Sequence, residues 1–282
     1  MSGRLYVVGT PIGNLSDLSP RAIETLKAVD VIAAEDTRVT VKLLNRFEIH
    51  TPMVSYHKYN AIERGQELCE RLLAGENAAI VTDAGMPCIS DPGEALVRSC
   101  GELGIEVCAV PGPTAAMSAL AISGLPTGRF TFEGFLSVNK LSRREHLNSL
   151  YKETRTMIFY EAPHKLPNTL KDLYTAFGDR KLSIVRELTK IHEQVIHTTL
   201  REAAQRYADG SIKGEIVLII EGASEQTERP ETLEEAVSLA RSRVESGVSA
   251  SAAAKEAAEL TGFKKGEIYK ALIRNAETER NV

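Results

Sequence analysis

Long apolar runs are what this sequence lacks most plainly: the longest, such as Ile216 to Ile220, are far too short to span a bilayer. The polar start MSGR passes at once into the short strand pattern LYVV, with no basic segment leading into an apolar one, so no signal peptide is expected. Cysteines are few. Cys69, Cys88, Cys100 and Cys108 form no C-x-x-C pair, and the six histidines have no ligand-like spacing to them, so no metal site is expected. A reducing cytoplasm is the expected compartment. Positive charge is not in excess either: the formal net charge is -4, so a polyanionic partner would have to meet a local basic patch. No G-K-[ST] occurs, which removes a Walker nucleotide loop. The acidic pair Glu35 and Asp36 follows the first glycine loop as in a dinucleotide fold, but G-x-G-x-x-G is absent. Gly9 and Gly13 are separated by Thr10, Pro11 and Ile12, and Pro11 removes an N–H that a pyrophosphate would want.

What is present is an ordinary globular composition, 43% hydrophobic and 26% charged over 282 residues, enough for two domains. Short apolar runs at Leu5 to Val8, Val29 to Ala34, Ala78 to Val81 and Ile105 to Val110 alternate with helical patterns starting at Pro20, Thr37, about Asn60 and Pro92. That alternation predicts a doubly wound, mainly parallel α/β sheet. Ser19 before Pro20 makes a good N-cap and first-turn pair. ISGLPTGR, Ile122 to Arg129, breaks both periodicities and marks a boundary. Beyond it FTFEGF, TMIFYEA, LSIVREL, QVIHTTL and EIVLIIEG come in closer succession, with helices near Ser142 to Lys152 and Pro163 to Phe177, as in a mixed sheet. ASEQTERPE after Gly222 reads as a linker. Three helical patterns follow, and Gly262 in the short turn between the last two fits a helix-turn-helix. The expected division is 1–122, a Rossmann-like α/β domain; 123–223, a second α/β domain; and 232–282, a helix-turn-helix tail.

Three loops at strand ends are rich in glycine and proline: VVGTPIGNLSD, TDAGMPCISDPGEAL and VCAVPGPTAA. In an open α/β sheet the crevice past the carboxyl ends of the strands holds small molecules. Proline-rich loops supply acceptors and few N–H donors, which suits a ligand with positive charge. S-adenosylmethionine is such a ligand, and Asp83 is the natural carboxylate for it. Each segment also has a plainer reading. Asp91-Pro92-Gly93 is a common turn and helix start. Glu35 to Arg38 can be a helix cap with a surface ion pair, and His57, Asn60 and His164 can satisfy helix starts.

VGTPIGNLSD, AAEDTR, SYHKYN, TDAGMPCISDPG, VPGPTAAMSALAISGLP, FYEAPHKL, RELTKIHE and KGEIVLIIEG occur in that order from about Leu5 to Leu272. Taken together they resemble the tetrapyrrole-methylase superfamily of S-adenosylmethionine-dependent methyltransferases. Within it the similarity is to the bacterial branch that methylates the ribose 2′-hydroxyl of a cytidine in the decoding region of 16S ribosomal RNA. The resemblance implies two α/β domains with the cofactor between them, a homodimer, and 16S ribosomal RNA or the small ribosomal subunit as partner. Carried over by position, Pro11, Asp83, Gly85, Met86, Pro87, Thr114, Ala115 and Ala162 line the cofactor. Tetrapyrrole-modifying members have a richer glycine first loop, which leaves the contacts of Pro11 open.

Methyl transfer to an alcohol is an in-line displacement helped by a base, for which Glu35, Asp36 and His57 are the candidates. Arg38 is a candidate grip on phosphate and Asn60 a further substrate contact. Basic residues gather at Lys140, Arg143, Arg144, Lys152 and Arg155, and at Lys264, Lys265, Lys270 and Arg274; Arg143, Arg144, Lys270 and Arg274 are the chosen RNA contacts. A small tetrapyrrole-like acceptor keeps the cofactor loops but leaves the tail unexplained. A ligand-sensing DNA regulator uses the tail but leaves an enzyme-sized pair of domains unexplained.

Overall fold

The computed structural model describes residues 2–224, 232–245 and 248–280, so most of the linker ASEQTERPE lies outside the described residues. The chain divides into two compact units. The first runs to Ile122 and takes in Arg186–Gln194; the second comprises Ser123–Val185 and everything from Val195 onward.

The first unit contains five strands, β1 (Arg4–Val8), β2 (Val31–Ala34), β3 (Met53–Ser55), β4 (Ala78–Val81) and β5 (Glu106–Val110). Its helices are α1 (Pro20–Ala28), α2 (Thr37–Arg46), α3 (Ala61–Leu73), α4 (Glu94–Glu102) and α5 (Ala115–Ile122). The sheet order is β3-β2-β4-β1-β5, and every pairing is parallel. Strand residues alternate between two cores, because successive side chains point to opposite faces. Leu5, Val31, Ala33, Ala78 and Ile80 pack with Leu68 of α3 and Leu96 of α4. Val8, Ile32, Ala34, Ala79 and Val81 pack with Leu26 of α1 and Leu44 of α2. Helices therefore cover both faces, which is why β2 and β4 are buried at every position. The Ser19 side chain accepts from the Ala22 N–H at 3.1 Å with Pro20 in the first turn, a cap worth about 1 kcal/mol. A Cβ on Gly13 would lie 2.8 Å from the side chains of Lys190 and Thr189, a close approach that ties Arg186–Gln194 to the β1 loop.

The second unit holds β6 (Phe130–Phe135), α6 (Lys140–Ser149), β7 (Thr156–Glu161), α7 (Leu166–Phe177), β8 (Lys181–Arg186), β9 (Gln194–Thr199), α8 (Leu200–Arg206) and β10 (Ile216–Ile220). The order β6-β7-β10-β8-β9 is mixed: β6 runs parallel to β7, and β10 antiparallel to it. IVLII is buried throughout because β10 is the central strand.

Three further helices, α9 (Leu233–Glu245), α10 (Ala250–Thr261) and α11 (Lys265–Arg280), share an alanine-rich core of Ala236, Ala240, Ala253, Ala254, Ala257, Ile268 and Leu272. Small side chains there let the helices approach closely. Gly262, at φ +82°, ends α10 in the left-handed conformation and makes the sharp turn into α11. The tail docks on α7 through Arg243, whose Nη1 donates to the Tyr174 hydroxyl at 3.0 Å. The guanidinium groups of Arg243 and Arg201 lie 5.4 and 5.9 Å from the Tyr174 ring centroid. Among the described residues no helix is long and apolar enough to cross a membrane.

Candidate functional site

Strand adjacency decides which loops meet. β1 lies between β4 and β5, so the segments leaving these three strands are neighbours at the carboxyl edge. Thr10 and Gly85 form an isolated bridge: each N–H donates to the other's carbonyl, at 2.9 and 3.1 Å. The Thr10 hydroxyl adds a bond to the Thr82 carbonyl at 3.1 Å. Gly85 has φ +87°, a conformation that disfavours any side chain. On the other side Gly9 meets Gly112 so closely that a Cβ on Gly9 would lie 2.6 Å from the Gly112 Cα and 2.7 Å from the Met86 sulfur. Backbone of three loops is thus pressed together where proline and glycine replace bulk. Pro11, Thr114 and Ala115 are half-buried at this edge, Pro87 is buried, and Met86 packs into the core below. The Thr82 hydroxyl is buried with no hydrogen-bond partner among the described residues.

A second set of residues follows from the pairing of β2 with β4 and of β2 with β3. The Asp36 N–H donates to Asp83 Oδ1 at 3.2 Å, and the Asp83 N–H donates to Glu35 Oε2 at 3.5 Å, so the EDTR and TDAG segments lock each other. Asp36 caps α2: its Oδ1 accepts from the Arg38 N–H at 2.8 Å, and its Oδ2 lies 2.6 Å from Arg38 Nη2. Hydrogen bonds from the Arg38 side chain hold the Asp36 carboxyl down at about 2. Asp36 and Arg38 are therefore each other's partners, and any phosphate must compete for Arg38. Asn60 accepts from the His57 N–H at 2.8 Å and donates to the Ser55 carbonyl at 3.1 Å, which fixes the turn after β3. His57 Nδ1 accepts from the Tyr59 N–H at 3.3 Å, which leaves the proton of a neutral ring on Nε2.

Glu35 and Asp83 differ from Asp36 in direction. Burial pushes Glu35 up, and the Asp83 charge adds to it; Asp83 is itself raised by partial burial and the nearby Asp36 charge. Asp91, half-buried, is pushed up to about 6 by burial and by the charges of Glu35 and Asp83. Asp91 was legible only as a turn residue, because nothing local in Asp-Pro-Gly reveals that the loop returns it to other carboxylates. Its ionisation opposes folding. The stabilisation it gives is complete below the ordinary value of 3.8 and is lost as pH rises through about 6. Asp91→Asn is accordingly expected to leave the thermal midpoint unchanged near pH 3.8 and to raise it at pH 8. A lower midpoint for the variant at pH 8 in a calorimetric scan would contradict that electrostatic account.

The remaining candidates belong to the second unit. Ala162 follows β7, and its N–H donates to the carboxylate of Glu161 at 2.8 Å. Glu161 is 5% exposed and also accepts from the Thr169 hydroxyl. Arg143 donates to Thr169 Oγ1 at 2.8 Å and to Asp172 at 2.6 Å, so it braces α6 against α7. Arg144 on α6 and Lys270 and Arg274 on α11 are exposed. The described residues contain no group of three or more His, Cys, Asp or Glu placed to hold a metal ion.

The family model for Tetrapyrrole (Corrin/Porphyrin) Methylases matches residues 4–204. The chain is 51% identical over 269 residues to a ribosomal RNA small subunit methyltransferase I of Synechocystis sp., covering 95% of this chain and 96% of that one. It is 47% identical to the protein of that name from Halalkalibacterium halodurans, covering 95% and 93%. Among solved structures, a uroporphyrin-III C-methyltransferase from Thermus thermophilus in complex with S-adenosyl homocysteine aligns with a TM-score of 0.54. Its identity is 22%, with 78% of this chain and 97% of that chain covered. At that identity the likeness speaks for the fold.

Proposed function

This chain belongs to the tetrapyrrole methylase family and to its ribosomal RNA small subunit methyltransferase I group, and from that premise we propose that it uses S-adenosyl-L-methionine to methylate the ribose 2′-hydroxyl of a cytidine in the decoding region of 16S ribosomal RNA. The observation that carries the reading is the carboxyl edge of the parallel sheet, where a glycine-lined backbone cradle adjoins carboxylates raised by burial and mutual repulsion. Such a site gains when a fixed positive charge enters it, because each carboxylate then ionises at less cost. The unpartnered Thr82 hydroxyl offers a further polar contact.

In this reading Asp83 faces the cationic part of the cofactor. Gly85, Met86, Pro87, Pro11, Thr114 and Ala115 supply backbone and apolar contact. When bound, the cofactor supplies a methyl group activated by its sulfonium. The chain's task is to hold the hydroxyl oxygen in line and accept its proton as the new O–C bond forms. Glu35 is the best of the three candidate bases, since burial raises its proton affinity toward the working pH. Asp36 is held too acidic by Arg38, and His57 Nδ1 already accepts from the Tyr59 N–H. The reading includes a cytoplasmic homodimer and an RNA-facing role for residues 232–282. Purified chain supplied with S-adenosylmethionine labelled in its methyl group should transfer label to 16S ribosomal RNA or to small subunits. Label found in neither, with the cofactor bound, would sink the proposal.

A further inference from the structure

Within the second unit α6, α7 and the end of α10 enclose an open groove of about 690 Å³. Its charge is the reverse of the chain's. Five basic side chains line it against two carboxylates, Asp172 and Glu259, in a protein whose net charge is -4. Lys140 and Arg144 are four residues apart on α6 and share a face; Lys165 at the N-cap of α7 is followed at three-residue spacing by Asn168 and Lys171 within it. These four basic residues and Asn168 are exposed. The fifth basic residue, Arg143, is spent differently. Its bonds to Asp172 and Thr169 hold the two positively charged helix faces side by side. Val138, 81% exposed at the rim, adds apolar surface that a free phosphate would not need but a base or ribose would cover.

We propose that this groove binds the phosphodiester backbone of the RNA substrate, with Lys140 and Arg144 on one wall, Lys165 and Lys171 on the other, and Arg143 as the strut between them. The inference rests on the RNA reading above and extends it to residues on α7. It also gives the tail a second role: α10 forms part of the groove wall, where the exposed Glu259 repels a polyanion and limits how firmly it is held.

The test is filter binding of full-length 16S ribosomal RNA to the full chain over a range of salt. Two double variants, Lys140→Gln with Arg144→Gln and Lys165→Gln with Lys171→Gln, remove exposed charge without touching the packed core. Each is expected to flatten the slope of log affinity against log salt by about 1.4, at roughly 0.7 per single-strand phosphate contact. Affinity for S-adenosylmethionine should be unchanged. Glu259→Gln should shift RNA affinity the other way, an effect that general damage to the fold would not produce. Wild-type affinity and salt slope in both double variants would overturn the groove while leaving the methyltransferase reading intact. A wild-type chain that neither binds 16S ribosomal RNA nor transfers a methyl group to it would overturn that reading and the groove with it.

Discussion

Gly9→Ala is expected to abolish measurable cofactor binding and to lower stability by about 1–3 kcal/mol, the usual cost of overpacking a well-filled site. A Cβ there would stand 2.6 Å from the Gly112 Cα, 2.7 Å from the Met86 sulfur and 2.8 Å from the Gly112 nitrogen. Two of the three are backbone, so a rotamer change cannot relieve the clash; β1 and β5 would have to part at their carboxyl ends. That movement pulls on Thr10 and through it on Gly85, because the two exchange both backbone hydrogen bonds. Gly112→Ala should behave alike, since its Cβ would meet Gly9 at 2.8 Å. Gly128→Ala is the control, as no atom lies within 4 Å of its added Cβ. Isothermal titration with S-adenosylmethionine separates them; wild-type affinity in Gly9→Ala would mean that the three loops do not form the cofactor cradle.

The second large effect concerns charge. Asp83→Asn keeps an oxygen able to accept from the Asp36 N–H and deletes the negative charge, whereas Asp83→Ala deletes both. Removing a charged partner from a cation is expected to weaken S-adenosylmethionine binding roughly 10- to 100-fold, toward the lower end because Asp83 is solvent-exposed. Asp36→Asn and Arg38→Gln should leave that affinity near the wild-type value and slow turnover on RNA, since they break the 2.6 Å ion pair beside the expected acceptor. Asparagine also caps helices well, so the first of these spares the start of α2. Equal cofactor affinity in Asp83→Asn, Asp36→Asn and Arg38→Gln would refute this division between cofactor and acceptor residues.

Most of the architecture was legible because its signals are local. Ser19 and Pro20 start α1 as expected, Gly262 ends α10, and the fully apolar runs VIAA and AAIV became strands buried on both faces. What escaped lacks a local period. β3 is three residues long, too short to alternate. α5, AAMSALAI, is apolar at nearly every position and so presents no stripe to distinguish it from the loop before it. The attachment of Arg186–Gln194 to the first unit depends on the space left by Gly13, a contact between residues far apart in sequence.

The same distinction runs through the site. Loop chemistry pointed to the three strand ends and to Asp83, because glycine, proline and acidic residues there are visible in the residues themselves; Pro11, Gly85 and Thr114 came only from the family resemblance. Arg143 and Arg144 looked alike in sequence, yet one is paired with Asp172 and the other is exposed. Periodicity cannot tell a strut from a solvent-facing charge when the partner sits on the next helix. Lys165 and Lys171 escaped for the converse reason: one at the N-cap of α7 and one within it, they form no run of charge, and they join Lys140 and Arg144 only through helix packing.

The account is tested most directly by mass-spectrometric mapping of ribose methylation in 16S ribosomal RNA from cells with and without this chain. It predicts that one 2′-O-methyl group, on a cytidine of the decoding region, is lost without the chain and returns with the wild-type protein but not with Gly9→Ala. An identical methylation map in both kinds of cell would contradict it.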